Sequence, residues 1–180
     1  ECYYAANNFG IDKDKMPEMK SILEEQKINE TAEYRIIGMT LETRPDFISK
    51  KSILDYRRYG VTRIQIGVQH YDDVILKKIN RGCYTKDTIK AIRLLKQAGY
   101  KVVVHLMPDL PGSSPKLDKW MFDQAINNPD LQFDDLKIYP TDGYGNPDLL
   151  REIIHLSPAY LEEFSCSRGC FSGDLDPHGS

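Results

Sequence analysis

The sequence has no long hydrophobic run and few cysteines. No apolar stretch approaches the ~18 residues of a membrane-spanning helix, so we expect no membrane partner. Four cysteines in 180 residues are too sparse for a disulfide scaffold, which predicts a reducing, intracellular and cytoplasmic setting. Because the chain starts Glu1-Cys2-Tyr3-Tyr4, without Met and without a charged-then-apolar leader, we expect it to be the interior of a longer protein.

Nucleotide-binding glycine motifs and a complete set of metal ligands are also missing. Neither G-x-G-x-x-G nor G-x-x-x-x-G-K-S/T occurs, which argues against an open nucleotide-binding sheet. Cys166, Cys170 and His178 lack a fourth ligand, so we predict no metal site and interpret these thiols as free in a mobile tail. Hydrophobic residues make up 41% of the chain and charged residues 28%, which is typical of a globular protein.

Charge is unevenly distributed along the chain, although the net charge is only -3. Residues 44–101 hold 14 Lys or Arg against five Asp or Glu, a net charge of +9. The flanking residues 1–43 and 102–180 carry net charges of -4 and -8. A basic block inside an acidic chain can mark a surface for phosphate-rich ligands. The alternative is a set of helices with solvated, lysine-rich faces.

Strand-length apolar segments alternate with amphipathic helical segments through the middle of the chain. Predicted strands cover residues 36–41, 63–68, 102–104 and 136–139, and predicted helices cover residues 17–27, 47–59, 85–98, 117–126 and 147–155. Asp46 and Thr85 are the predicted N-caps of two helices, and Gly60 and Gly99 follow the ends of those helices. The order β-α-β-α-β-α-β predicts a parallel sheet covered by helices, either a barrel or an open doubly wound sheet.

Polar and proline-rich segments directly follow the predicted strands. They are residues 42–46, 69–70, 107–112 and 139–141. Because the chemistry of parallel α/β folds sits at the carboxyl ends of the strands, these segments are predicted to line the mouth of a site. Within them, His70 is expected at the surface or at the start of a helix.

Five motifs, in order along the chain, carry a family resemblance. They are residues 37–46 (IGMTLETRPD), 63–69 (RIQIGVQ), 80–82 (NRG), 105–111 (HLMPDLP) and 136–141 (LKIYPT). Together they resemble the catalytic subunit of Elongator, a family of radical S-adenosylmethionine (SAM) enzymes. A coproporphyrinogen-dehydrogenase-like radical-SAM protein is the alternative, because such proteins share a strand like the second motif and a turn like the fourth. They typically lack the first and last motifs, which favours the Elongator type.

The resemblance implies a fold, a reaction and a set of cofactors and partners. The fold is α/β, a partial (β/α) barrel of radical-SAM type that is incomplete at its N-terminal side. The cofactors are SAM and a [4Fe–4S] cluster, the co-substrate is acetyl-CoA, and the partners are tRNA and other Elongator-type subunits. The implied reaction adds a carboxymethyl-type group to the wobble uridine of tRNA.

The domain organisation is interpreted in the same frame. Residues 1–34 are a helical remnant of preceding β/α units, and residues 35–141 are the radical-SAM-like core. Residues 142–180 are a divergent C-terminal segment, partly helical and then loop or disordered.

The resemblance assigns the strand-end residues to the SAM and acetyl-CoA side of the site. This set is Glu42, Arg44, Gln69, His105, Asp109, Lys137 and Tyr139. An arginine offers a bidentate fork to a carboxylate, and a carboxylate can accept hydrogen bonds from ribose hydroxyls. A buried Lys137 would need a partner such as an anionic ligand, Glu42 or Asp109; the alternative is an outward, solvated lysine.

Simpler structural roles remain open for several of these residues. Residues 42–46 can be a strand-to-helix turn in which Asp46 caps the helix. His105 can be a satisfied core histidine, and Asp109 can order its turn through a local hydrogen bond.

The same resemblance makes the basic block a candidate surface for tRNA phosphates. The cations predicted to contact RNA are Arg57, Arg58, Arg63, Lys77, Lys78, Arg81, Lys86 and Lys90.

The sequence departs from the family pattern in ways that limit the implied activity. A [4Fe–4S] cluster needs Cys thiolates on a loop that ends in C-x-x-C, and no such loop occurs here. The acetyltransferase domain is missing, and Cys83 stands where the family usually has His after the NRG motif. We therefore expect the chain alone to be inactive; the alternative is a cluster-less module that retains tRNA contact. The missing first strands predict an exposed sheet edge and self-association.

Overall fold

The computed structural model describes residues 1–141. The predicted helix at 147–155 and the tail that holds Cys166, Cys170 and His178 lie outside the described residues. None of the helices within residues 1–141 has the length and the apolar character that a membrane crossing requires.

Four parallel strands form one sheet whose spatial order follows the chain order, β1-β2-β3-β4. The strands are β1 (Thr40–Thr43), β2 (Arg63–Gln69), β3 (Lys101–Leu106) and β4 (Asp135–Ile138). Helices connect them: α3 (Lys50–Arg58), then α4 (Asp73–Lys78) and α5 (Thr85–Gln97), then α6 (Pro115–Asn127). This arrangement confirms the predicted α/β class with parallel strands and outer helices.

Before the sheet come two helices, α1 (Cys2–Asn7) and α2 (Ile22–Asn29), which pack against each other. The sequence predicted one helix here, at 17–27. Pro17 lies ahead of the observed start, because the hydroxyl of Ser21 accepts the backbone N–H of Glu24 and fixes the N-cap. Short 3₁₀ turns complete the described elements, at Lys13–Lys15, Pro45–Phe47 and Pro129–Leu131.

The two faces of the sheet differ in polarity because side chains alternate along each strand. One face packs under helices, with α5 in contact with both β2 and β3. Its buried side chains on these two strands are Ile64, Ile66, Val68, Val102, Val104 and Leu106. The opposite face carries polar groups such as Gln65, His105 and Lys137, which bond to one another. Most of the core on these strands therefore lies on one side of the sheet, and the other side carries these polar groups together with the buried Val103.

The first strand and first connecting helix begin later than predicted. Strand β1 starts at Thr40 rather than residue 36, because its partner strand starts at Arg63, which pairs with Thr40. Asp46 is not a helix cap: α3 begins after Ser49, whose hydroxyl accepts the backbone N–H of Ser52. Asp46 instead lies inside the 3₁₀ turn that begins at Pro45.

The structure also differs from the sequence prediction in the segment between β2 and α5. The side chain of His70 is fully buried rather than on the surface. Helix α4 follows it and was not predicted; it begins after Asp72, whose carboxylate accepts the backbone N–H groups of Val74 and Ile75. Its six residues are too few to show helical periodicity clearly in a sequence. The next helix has Thr85 as its first residue rather than as its N-cap.

Candidate ligand-binding site

A cavity of about 570 Å³ opens at the carboxyl edge of the sheet. Its walls are formed by Glu42, Thr43, Arg44, Gly67, Gln69, Arg81, His105, Met107 and Tyr139. These residues follow or end all four strands, apart from Arg81, which lies in the loop after α4. Five of the seven residues predicted for the cofactor side therefore meet around one space. The other two, Asp109 and Lys137, are not part of its wall.

Gln69 reaches the cavity through an unusual backbone conformation at the end of β2. Its φ is +73°, which is rare for a residue other than glycine. The register between β2 and β3 shifts between Gly67 and Gln69, which re-aims the end of the strand. The carbonyl of Gln69 accepts the backbone N–H of Met107 at 2.8 Å, so the ends of both strands are joined at the cavity.

A hydrogen-bonded group of side chains crosses the polar face below the cavity. Gln65 Oε1 lies 3.0 Å from Lys137 Nζ and 2.8 Å from His105 Nε2. A lysine ammonium can only donate, so the shared atom accepts, and His105 Nε2 must carry a proton that it donates to Gln65. The other ring nitrogen, Nδ1, then faces Glu42 Oε1 at 3.4 Å.

The position of His105 determines its electrostatics. Burial lowers the pKa of His105; the Glu42 carboxylate acts in the opposite direction, and Lys137 adds to the lowering. A neutral ring keeps Nδ1 as an acceptor that faces a second acceptor on Glu42. Tyr139 packs edge-on against the ring, with 5.3 Å between ring centroids. This wall can receive a ligand group that donates hydrogen bonds, and it offers an aromatic face beside it.

The partner of Lys137 differs from those predicted. Lys137 does not bond to Glu42 or Asp109; its ammonium donates to Gln65 and is otherwise exposed. Gln65 itself was missed by sequence reasoning. Gln69 was a predicted site residue, and side chains at alternate positions of a strand lie on the same face. This alternation could have pointed to Gln65, four positions earlier on the same strand.

Arg44 is at the cavity wall but already has a carboxylate partner. Its guanidinium donates to both carboxylate oxygens of Asp46, at 2.9 and 2.7 Å, and this bond raises the pKa of Arg44. The guanidinium also lies 5.3 Å from the centre of the Phe47 ring. Asp46 therefore orients the guanidinium that faces the cavity, a role that replaces the predicted helix cap.

Arg81, predicted as an RNA contact, lies in the cavity wall. Its guanidinium donates to the carbonyl of Gly67, and its Nε is buried without a hydrogen-bond partner. A Cβ on Gly67 would lie 2.8 Å from Arg81 Nη2, so glycine makes room for the guanidinium. A buried donor without a partner is a site at which a ligand acceptor gains a hydrogen bond.

Asp109 lies in the turn after β3, with a φ of +62°. Its backbone N–H donates to Asp118 Oδ2 at 3.0 Å, so the residue orders its turn through a carboxylate other than its own. Any contact between its side chain and a ligand stays a prediction.

The remaining predicted RNA contacts are exposed cations, and two of them also contact protein groups. Arg57 donates to the carbonyl of Ala98 at 2.6 Å and lies over the Tyr100 ring, and Arg63 pairs with Asp135 at 3.1 Å. Arg57 and Arg63 are exposed despite these contacts, and so are the others in the set, Arg58, Lys77, Lys78, Lys86 and Lys90. Their contact with RNA stays a prediction.

The residues of the described part do not fit an iron–sulfur cluster. The cysteines there are Cys2, which is exposed in α1, and Cys83, which is buried. Within residues 1–141 no group of three or more His, Cys, Asp or Glu is arranged to hold a metal ion. Cluster ligation requires several thiolates together, which these residues do not supply.

Comparison with known proteins gives a consistent family match. Residues 2–121 match the Radical SAM superfamily. A tRNA uridine(34) acetyltransferase from Methanocaldococcus infernus is 50% identical over 123 residues, which are 68% of this chain and 23% of that protein. Elongator complex protein 3 from Schizosaccharomyces pombe is 40% identical over 115 residues, 64% of this chain and 21% of that protein. The chain thus spans under a quarter of the length of either relative.

Solved structures share the fold. The archaeal Methanocaldococcus infernus Elp3 with an N-terminal deletion matches with a TM-score of 0.71 and 47% identity, over 77% of this chain and 31% of that chain. Coproporphyrinogen III oxidase (HemN) from Escherichia coli, a radical SAM enzyme, matches with a TM-score of 0.59 over 74% of this chain and 35% of that chain. Its identity is only 16%, so this second likeness concerns the fold alone.

The higher identity to the archaeal protein favours the Elongator type over the coproporphyrinogen-dehydrogenase-like alternative. The family match covers two thirds of the chain and includes the strands β1, β2 and β3 that build most of the cavity wall. The chain belongs to the radical SAM superfamily, and within it the chain resembles the central part of the radical-SAM core of the Elongator catalytic subunit.

Proposed function

We propose that this chain is the SAM-binding part of a radical-SAM enzyme that modifies the wobble uridine of tRNA. The observation that carries the proposal is the cavity at the carboxyl edge of the parallel sheet, because its wall is built from the strand ends that hold the family motifs. The substrate class comes from the names of the relatives, which act on uridine 34 of tRNA.

The cavity wall has groups that suit each part of SAM. The guanidiniums of Arg44 and Arg81 suit the methionyl carboxylate, and the carboxylate of Glu42 suits ribose hydroxyls. The amide of Gln69 can donate and accept, and the ring of Tyr139 offers an aromatic face to the base. When bound, SAM supplies the radical chemistry of the superfamily.

We further propose that the parent enzyme adds a carboxymethyl-type group and takes its carbon from acetyl-CoA. The support is the resemblance of the five motifs and the word acetyltransferase in the names of the relatives. Lys137 and Asp109 lie outside the cavity wall, and their assignment to the SAM and acetyl-CoA side stays a prediction. Other Elongator-type subunits are the proposed protein partners of the parent enzyme.

Calorimetric titration of the chain with SAM tests the cofactor proposal. We expect saturable one-to-one binding, and we expect Arg81→Met to weaken it by about tenfold or more, because a charge-assisted hydrogen bond is lost. Arg93→Met is the matched control, because Arg93 is an exposed arginine on α5 outside the cavity wall. Absence of SAM binding by the unaltered chain would refute the proposal.

We propose that the chain alone does not carry out the radical step, since residues 1–141 hold no thiolate group that fits a cluster. Iron and acid-labile sulfide, measured after anaerobic reconstitution, are expected well below one cluster per chain. A stoichiometric cluster with its visible absorption would contradict this and would require ligands from among Cys2, Cys83, Cys166 and Cys170.

A cluster-less tRNA-binding module is the second candidate function. The observation that favours it is the exposure of Lys77, Lys78, Lys86 and Lys90 along α4 and α5, in a part of the chain that lacks cluster ligands. Lysine contacts with phosphates release counterions, so affinity falls steeply with salt.

Filter binding of tRNA at several salt concentrations tests this candidate. We expect replacement of these four lysines by Gln to weaken binding and to reduce the salt slope by up to about one for each lost phosphate contact. The control replaces the exposed Lys13, Lys15, Lys20 and Lys27, which removes the same charge from the acidic N-terminal part. If both replacements weakened tRNA binding equally, only the overall charge of the chain would matter. The α4–α5 surface would then not be a specific tRNA contact.

A further inference from the structure

A buried histidine and a buried carboxylate lie behind the cavity, outside its wall. The side chains of His70 and Asp118 are both fully buried. His70 Nδ1 accepts the backbone N–H of Asp72 at 2.8 Å, so the neutral ring carries its proton on Nε2. That nitrogen faces Asp118 Oδ1 across a long contact of 3.5 Å and has no other partner.

Asp118 holds both ends of the turn that follows β3. Its Oδ2 accepts the backbone N–H of Asp109 at 3.0 Å, and its Oδ1 accepts the hydroxyl of Ser113. Asp118 lies in the first turn of α6, and the N-cap of this helix, Ser114, directly follows the turn. One carboxylate therefore ties the turn to helix α6.

Two residues with positive φ lie on either side of this pair. Gln69, which directly precedes His70, has a φ of +73°, and Asp109 has a φ of +62°. Residues other than glycine avoid this region, so surrounding contacts must hold them there. The Gln69 carbonyl also accepts the N–H of Met107, so the turn and the end of β2 are joined directly.

We propose that the His70–Asp118 pair is a positioning element, which holds Gln69 and Met107 in the cavity wall by fixing the strand end and the turn behind them. The contribution of this pair to SAM affinity rests on the proposed function; its effect on the turn does not. Burial by itself raises the pKa of Asp118, but His70, Ser113 and the Asp109 amide outweigh it and hold the pKa below its usual value. Asp118 therefore stays a charged carboxylate, which supports its role as the acceptor for both ends of the turn.

Hydrogen–deuterium exchange of the full chain, with Asp118→Asn, tests the position of the turn. We expect amides of residues 107–113 to exchange about tenfold faster, because an asparagine loses one of the two acceptor oxygens. Amides within α5 should stay protected, which shows that the variant is folded. Unchanged exchange in residues 107–113 would overturn the proposal.

Asp134→Asn is the matched control. Asp134 also accepts a backbone N–H, that of Val102 at 2.8 Å, but at the opposite edge of the sheet. We expect this variant to leave exchange in residues 107–113 and SAM affinity unchanged. If both variants loosened the turn equally, the effect would be general destabilisation and the positioning role would be wrong.

Two replacements of His70 distinguish the roles of its two ring nitrogens. Glutamine can place a donor near the position of Nε2, and asparagine can place an acceptor near the position of Nδ1. We expect His70→Gln to keep the protection of residues 107–113 and the SAM affinity closer to the unaltered values than His70→Asn does. Equal protection in both variants would remove His70 from the proposal.

The two proposals fail separately. If the unaltered chain binds no SAM, the proposed function fails, and exchange in residues 107–113 still decides the positioning role. If SAM binds and Asp118→Asn changes neither exchange nor affinity, only the positioning role fails.

Discussion

Cys83 is a thiol among charged side chains that is nevertheless shielded. It is 1% exposed, and this burial raises its pKa; the guanidiniums of Arg81 and Arg44 act in the opposite direction but do not outweigh it. Because the thiolate is the reactive form, a raised pKa and burial both slow its alkylation.

We therefore expect Cys83 to react with iodoacetamide much more slowly than the exposed Cys2 at neutral pH. Peptide mass spectrometry at successive times measures both sites in one sample. Reaction at Cys83 as fast as at Cys2 would show that the packing around Cys83 opens readily.

His105 gives the stability of the protein a dependence on pH. Its folded-state pKa lies below the unfolded value of about 6.5, chiefly because of burial. The unfolded chain therefore takes up a proton first as the pH falls. Stability contributed by the neutral ring is present above about pH 6.5 and is lost below it.

We expect the unaltered chain to lose more free energy of unfolding between pH 7.5 and pH 5 than His105→Gln does. Urea unfolding at both pH values measures the difference, and groups other than His105 cancel between the two proteins. An equal loss in both would show that His105 protonates as easily in the folded state as in the unfolded chain.

The sequence predicted many of the residues that line the cavity but not their contacts. Strand-end position correctly brought Glu42, Gln69 and His105 to one cavity. It could not show that Arg44 bonds to Asp46, because that bond depends on the shape of a local turn. It also could not show that Gln65 joins His105 to Lys137, because these residues meet only across paired strands. Arg81 follows a helix, and only the turn of the chain after α4 brings it against Gly67.

At the scale of the elements, caps set several of the boundaries that periodicity left open. Helix α3 begins at a capping box, in which Ser49 and Ser52 bond to each other's backbone N–H groups. The cavity residues at the end of β1 lie only a few residues ahead of this cap.

We expect Ser49→Ala to lower the free energy of unfolding by about 1 kcal/mol, since the N-cap hydroxyl satisfies a backbone donor. Ser49→Thr keeps the hydroxyl and is the control, with a change of a few tenths of a kcal/mol at most. Chemical denaturation measures both variants. A loss as large in the threonine variant would show that the side-chain environment, not the cap, sets the effect.

Long periodic elements were predicted well and short ones were not. Helix α5 and strand β2 match their predicted spans within about one residue, because their apolar faces repeat over many positions. Helices α1 and α4 have six residues each and were missed. Strand β1 was placed early because the apolar run ahead of it extends beyond its pairing partner.

At the scale of the whole molecule, the apolar surface beside β1 bears on the predicted self-association. Ile37 is 98% exposed just ahead of β1. Strand β1 pairs on one side only within the described residues. An unpaired edge beside apolar side chains is a site for association with another chain.

We expect sedimentation velocity to show association that increases with concentration, and Ile37→Lys to reduce it. Val74→Lys is the control, because Val74 is also largely exposed, at 76%, but lies on α4. A monodisperse monomer at micromolar concentration in the unaltered chain would show that the edge is protected.

The order of the strands, in which neighbours in the sheet are also neighbours along the chain, has a consequence for synthesis on the ribosome. Only one connecting segment separates each strand from the next strand in the sheet. Strand pairing can therefore proceed in the order in which the chain is synthesised. After β2 has been synthesised, its next partner is β3, and the next partner of β3 is β4. The polar groups of the cavity are therefore gathered stepwise, and the wall is complete only when Tyr139, beyond the last strand, has left the exit tunnel.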